Sequence, residues 1–119
     1  MACLKRNSEV LATRVWMANT PWTRLRGLLG RKDFPASDAM WFVPGSRLVP
    51  MNSIHTFFMR FPIDVAFTDS NLVVKKIFAG VKPGRMIWPV VAATNTFEFA
   101  AGFLGRHSIR EGDQLHVDP

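Results

Sequence analysis

The sequence predicts a mainly β domain, an antiparallel half-barrel or β-sandwich with one short helix near residues 21–29, and three observations predict it. Apolar residues alternate with period two over several short runs, as in Ile63, Val65 and Phe67 against Asp64, Ala66 and Thr68. Pro and Gly interrupt the chain at short intervals, so no long helix fits. The composition is apolar and aromatic, with ten Phe and four Trp but no Tyr, which suits a packed core rather than a disordered chain. With 119 residues there is length for one domain, read as residues 4–118.

In chain order, Val10 to Ala18 reads as a first strand. Thr20-Pro21 then offers a cap followed by proline at the first helical position, and Gly30 offers a stop. Within Pro21 to Leu29, Trp22, Leu25, Leu28 and Leu29 fall on one helical stripe, with Arg24 pointing away from it. Ala39 to Val43 is a short apolar strand stopped by Pro44-Gly45, and 44–53 is a loop. His55 to Phe61 and Ile63 to Thr68 are two strands separated by Pro62, which cannot donate to a ladder and so marks a bend. Ser70-Asn71 turns the chain into a return strand over Leu72 to Ala79, with one face open to water at Lys75-Lys76. Gly80 to Thr96, with Pro83-Gly84 and Pro89, reads as a long irregular lid or binding loop. Phe97 to Ala101 is a strand whose two Phe share a face opposite Glu98; Gly102 to Gly105 makes a turn or a single helical turn. Glu111-Gly-Asp113 then leads into a last strand at Gln114 to Val117.

Charge is placed unevenly. Residues 1–32 hold Lys5, Arg6, Arg14, Arg24, Arg26, Arg31 and Lys32 against Glu9 alone, so the whole net charge of +6 lies there. A solvated basic face is the plain reading; weak, salt-sensitive contact with a polyanion through Lys5, Arg6, Arg14, Arg31 and Lys32 is the functional one. No apolar run approaches the roughly 20 residues that span a bilayer, and the start lacks the apolar centre of a secretory signal, so a cytoplasmic location is expected. Cys3 has no partner for an internal disulfide and is expected in a frayed terminus, a poor place for a nucleophile.

Chemical signatures are mostly absent. The chain has no phosphate-binding loop, no G-x-G-x-x-G, no H-E-x-x-H and no Cys pair for zinc, so no metal or cofactor is expected. Ser53, His55 and Asp64 lie near one another in sequence, but nothing resembles a nucleophile elbow. Asp64 is the most informative polar residue. A carboxylate among Phe57, Phe58, Phe67 and Pro62 needs a partner, whether Arg60, Arg24 or the backbone N–H groups of the bend. The alternative is that Asp64, Arg24 and Glu98 are polar points in an aromatic-lined concavity.

Several short motifs, in order, carry a resemblance: Arg24-x-x-Gly27-Leu28-x-Gly30-Arg31, Met40-x-Phe42-Val43, the block His55 to Phe67, Phe97-Glu98 with Gly102, and Gly112-Asp113. Together they resemble the domain of unknown function 192 family, over Arg24 to about Val117. The resemblance implies a mostly β, half-barrel or sandwich-like domain with one short helix and no established activity. Many members carry a longer turn with Asn-Thr between their Met-Lys and Pro-Leu-Asp positions, whereas Met59-Arg60-Phe61-Pro62-Ile63-Asp64 is shorter here. Leu29 stands where a Met is usual, a volume-conserving change.

The reading that follows is a domain without catalytic residues that binds a small polar ligand, a sugar for example, on a concave face lined by Trp41, Phe58 and Trp88. Arg24, His55, Arg60, Asp64 and Glu98 would supply its polar contacts. The competing readings are a hydrolase-like enzyme using His55, Asp64 and Glu98, and a polyanion-binding module using residues 5–32. Neither ligand nor oligomeric state follows from the sequence.

Overall fold

A computed structural model describes residues 2–18, 34–42, 54–55, 60–87 and 93–119. Over these the chain forms strands β1 (Cys3–Arg6), β2 (Glu9–Ala12), β3 (Arg14–Ala18), β4 (Asp38–Phe42), β5 (Ile54–His55), β6 (Ile63–Thr68), β7 (Val74–Val81), β8 (Met86–Ile87) and β9 (Asn95–Ala100). A four-residue helix, α1 (Phe103–Arg106), and a last strand, β10 (His116–Asp118), complete them. The mainly β expectation holds. The helix expected at 21–29 lies outside the described residues.

Among the described residues these strands form three sheets. A five-stranded sheet runs β3-β4-β9-β6-β7, a three-stranded sheet runs β10-β1-β2, and β5 pairs with β8. Neighbours are antiparallel except β3 and β4, which are parallel. The two larger sheets and α1 enclose the main core. Leu4 and Leu11 from the small sheet, Phe103, Leu104, Ile109 and Leu115 from the C-terminal region, and Ala39, Ala66, Phe97 and Phe99 from the large sheet all meet there. Burial of such side chains is worth about 1.5–3 kcal/mol each for the large ones, which is why the alternating pattern selects this pairing. Trp41, Phe97, Phe99 and Phe103 stack in a row, with ring centroids 5.6, 6.3 and 4.2 Å apart in that order.

The opposite face of the large sheet is also apolar. Met40, Phe42, Ile63, Val65 and Phe67 are buried there with Phe34, and Trp16, Phe61, Phe78 and Val81 are half-buried against them. β6 and β9 are therefore covered on both sides, and all six residues of β6 are buried.

Several boundaries differ from the sequence reading. The strand expected at 10–18 breaks at Thr13, whose N–H donates to the Ser37 carbonyl at 2.8 Å, and the chain passes there from the small sheet to the large one. Cys3 is not in a frayed end: it lies in β1 opposite Asp118, because Leu4 is drawn fully into the core beside it. The segment 80–96 is less irregular than expected, since β7 continues to Val81 and Met86–Ile87 pairs with Ile54–His55. Of the strand expected at 55–61, His55 is in β5, Arg60 is an exposed residue at a bend, and 56–59 lie outside the described residues.

Gly102 enters α1 with φ of +93°, a region closed to most side chains, which lets the chain turn directly from β9 into the helix. Asp69 builds the β6–β7 turn, its Oδ1 accepting the N–H groups of Asn71 (2.9 Å) and Val73 (3.0 Å). The last segment stitches the layers, as Val74 N–H donates to the Asp113 carbonyl at 2.9 Å and Gly112 N–H to that of Val74 at 2.7 Å.

Candidate functional site

Register decides which polar residues can meet. Across β6 and β9 the partners are Asp64 with Phe99 and Val65 with Glu98; across β4 and β9 they are Met40 with Glu98 and Trp41 with Phe97. Paired residues share a face and successive ones alternate. Asp64 and Trp41 therefore lie on the core face with Phe97 and Phe99, while Glu98 lies on the opposite face with Met40 and Val65. Asp64 and Glu98 thus project from opposite sides of the sheet, and these two carboxylates do not meet.

Asp64 is fully buried and both its oxygens are engaged. Oδ1 accepts the Gly80 N–H at 2.8 Å and Oδ2 the Leu104 N–H at 2.9 Å. Leu104 is in the first turn of α1, where N–H groups lack helical acceptors, and Gly80 sits with φ of +63° where the β6–β7 register shifts. The carboxylate thus joins β6, β7 and α1 rather than the bend at Pro62. Backbone amides, not Arg60, are its partners.

Trp41 is half-buried, stacked on Phe97, and its indole N–H donates to Asn95 Oδ1 at 2.9 Å. It belongs to the core rim rather than to a surface shared with Glu98. His55 is placed by its backbone in β5, opposite Met86. Arg60 is exposed where the chain enters β6. Arg24, Phe58 and Trp88 lie outside the described residues.

The second face carries a pair of buried polar residues. Glu98 and Thr96, two apart on β9, are 5% and 1% exposed among Met40, Phe42, Val65 and Phe67. The Thr96 hydroxyl has no hydrogen-bond partner among the described residues. An unmatched buried hydroxyl costs roughly 1–3 kcal/mol. Thr96 escaped the sequence reading, although its signal was there: it shares the parity of Glu98 against Phe97 and Phe99. Asp38 was also missed, assigned to a loop. It is buried in β4, accepting the Trp16 indole N–H at 2.9 Å and the Ser37 hydroxyl at 3.0 Å.

The basic segment is partly neutralised. Lys5 Nζ lies 2.7 Å from Asp118 Oδ2, and His116 Nε2 lies 2.6 Å from Asp118 Oδ1. Bonding to Asp118 raises the Lys5 ammonium above its ordinary value, and Lys5, then His116, hold Asp118 below the usual carboxylate range. Arg6 contacts Glu9 and Asp113, both at 2.9 Å. Arg14 is exposed, its guanidinium 4.7 Å from the Trp16 ring centre, while Arg31 and Lys32 lie outside the described residues. No group of three or more His, Cys, Asp or Glu able to hold a metal occurs among the described residues. Nor is any helix there long and apolar enough to cross a membrane.

Solved structures share the architecture. A protein of unknown function from Novosphingobium aromaticivorans is 20% identical with a TM-score of 0.82, over 97% of this chain and 82% of that one. A protein from Sinorhizobium meliloti, described provisionally as a transcription regulator, is 22% identical with a TM-score of 0.77, over 98% of this chain and 91% of that one. At those identities the likeness concerns the fold alone. In sequence, UPF0127 protein TK1120 of Thermococcus kodakarensis is 33% identical over 106 residues, 89% of this chain and 66% of that protein's length. The family model described as uncharacterized ACR matches residues 2–117, which includes the whole span over which the motifs run. The chain belongs to the DUF192 family, a family described as uncharacterized.

Proposed function

We propose that the domain binds a small hydroxyl-bearing ligand, such as a sugar, at the second face of the five-stranded sheet and performs no chemistry on it. The observation that supports this reading is the Thr96 hydroxyl, buried beside Glu98 with no partner among the described residues. Sites that recognise hydroxyl groups hold polar atoms at the expense of stability, within an otherwise apolar lining. Here that lining would be Phe42, Phe67, Phe78 and Trp16, in place of the Trp41 platform. Binding is favoured over catalysis because the carboxylates Asp64 and Glu98 face opposite ways. Contact with polyanions through the basic segment is the weaker reading, with Lys5 and Arg6 already held in ion pairs.

Ligand-observed NMR against a panel of mono- and disaccharides tests the proposal together with Thr96→Val. The substitution keeps shape and removes the hydroxyl, so the unliganded protein should gain about 1 kcal/mol of stability while any ligand signal weakens. No saturation transfer from any sugar to the wild type would refute the sugar reading. A Thr96→Val protein that binds as well as the wild type would refute the site.

A further inference from the structure

The end of α1 is held by an unusual arrangement. The helix closes with Ile109 N–H donating to the Leu104 carbonyl (2.9 Å) and Ser108 N–H to that of Gly105 (3.2 Å), the pattern of a Schellman cap. Its left-handed position, normally glycine, is Ser108 with φ of +51°. A side chain in that conformation is strained, so the cap needs outside support. Arg6, from β1, provides it. Its Nη1 donates to the Ser108 carbonyl at 3.1 Å and its Nη2 to the His107 carbonyl at 2.6 Å, while Glu9 and Asp113 balance its charge. One guanidinium thereby ties the β1–β2 hairpin to the strained cap and to the 110–113 turn.

The ring of His107, whose carbonyl Arg6 holds, lies 4.6 Å from the Phe103 ring centre, and the Arg106 guanidinium lies 5.5 Å from that Phe103 ring. Three elements present charged groups to the His107 ring: Arg106 from α1, Arg6 from β1 and Glu9 from β2. We infer that this junction is an acid-sensitive clasp, in which a proton on His107 releases the Arg6 contacts and frees the β1–β2 hairpin from α1 before the large sheet opens. A protonated ring adds a third cation beside Arg6 and Arg106, with Glu9 as the acid facing it. The carbonyls of His107 and Ser108 are the ones Arg6 must keep, and repulsion acts on that contact directly. Partial burial, then Arg106, then Arg6 favour the neutral ring, outweighing Glu9, so its pKa lies below the ordinary 6.5. The clasp is thus fully closed above about pH 6.5 and loosens as pH falls from there to the folded-state value.

Hydrogen exchange read residue by residue by NMR, corrected for intrinsic rates, tests this between about pH 7.5 and 5. Protection of hydrogen-bonded amides in β1 and β2 should fall relative to those of β6 and β9, by up to tenfold for each pH unit between about 6.5, where the released ring titrates, and the lower value at which the ring of the closed clasp titrates, and should level off below that value. The pH at which the fall levels off should coincide with the midpoint of the His107 ring resonances. In His107→Gln the relative fall should vanish; in Glu9→Gln the closed clasp should be weaker, and His116→Gln, at the other seam of β1, should leave the fall unchanged. An identical fall in His107→Gln would overturn the inference. So would a wild-type fall that continues below the ring's own titration, a reading that needs no variant to fold.

Discussion

Replacing Asp64 by Asn is the most direct probe of how the fold is fastened. The carboxylate accepts two backbone N–H groups, from Gly80 and Leu104, at 2.8 and 2.9 Å in a fully buried position. Hydrogen bonds to a charged acceptor contribute about 1.5–3 kcal/mol each, against about 1 kcal/mol for a neutral one. Asn keeps one oxygen, so one bond weakens. Its amide group then meets the other backbone N–H donor to donor, leaving that N–H unsatisfied. Neutralising a buried charge returns part of the loss, since the desolvation of the carboxylate is no longer needed. The net expectation is a destabilisation of roughly 2–4 kcal/mol. With a urea m-value of about 1–2 kcal/mol/M for a domain of this size, the midpoint should drop by at least about 1 M. Hydrogen exchange at Gly80 and Leu104 should rise more than the global loss explains, because those amides lose their acceptor. A change below about 0.5 kcal/mol in the urea experiment would refute the argument and mean that the carboxylate is dispensable to the joint of β6, β7 and α1.

Two further outcomes are expected. Ser108→Gly should stabilise the protein by about 0.5–1 kcal/mol in urea or thermal unfolding, because glycine takes the left-handed cap position without strain; destabilisation would mean that the Ser108 side chain contributes something its backbone angle hides. Acid should remove stability in a defined window: Asp69, held low first by the Val73 N–H and also by that of Asn71 and by Lys75, and Asp118, held low by Lys5 and His116, have folded-state values below 3.8. In Asp113, burial pushes upward but the Arg110 N–H and Arg6 outweigh it. Their contribution is present above 3.8 and is lost as pH falls through the lowered values, so urea midpoints should decline as pH falls below about 4, less steeply in Asp118→Asn.

The central strands were legible because alternation is strong where burial is strong. Ile63 to Thr68 was delimited to the residue, and the runs at 39–43 and 97–101 to within one or two. β1 was not, because Cys3–Arg6 offers one aliphatic residue, Leu4, beside two cations, and its stability comes from pairing with β10 at the far end of the chain. The break at Thr13 depends on Ser37, 24 residues away, and no local pattern announces it. The single helical turn after Gly102 was among the readings allowed by the residues themselves, since glycine there fits a turn into a helix.

The candidate site was harder to read for a physical reason. Alternation along one strand says which residues share a face of that strand, but whether Asp64 shares a face with Glu98 depends on the register between β6 and β9. Asp64 pairs with Phe99, not with Glu98, and one residue of register places the two carboxylates on opposite sides of the sheet. The same fact separates fastening from binding. On the core face the polar groups are satisfied from within: Asp64 by two backbone amides, Asn95 by the Trp41 indole N–H and the Asp69 carbonyl. On the other face a hydroxyl is buried without a partner among the described residues, a cost that packing alone would have selected against. Removing a satisfied group should destabilise the domain, and removing the unmatched one should stabilise it. Asp64→Asn and Thr96→Val therefore differ in sign, and that difference, measured in one urea series, distinguishes a polar residue kept for the fold from one kept for a ligand.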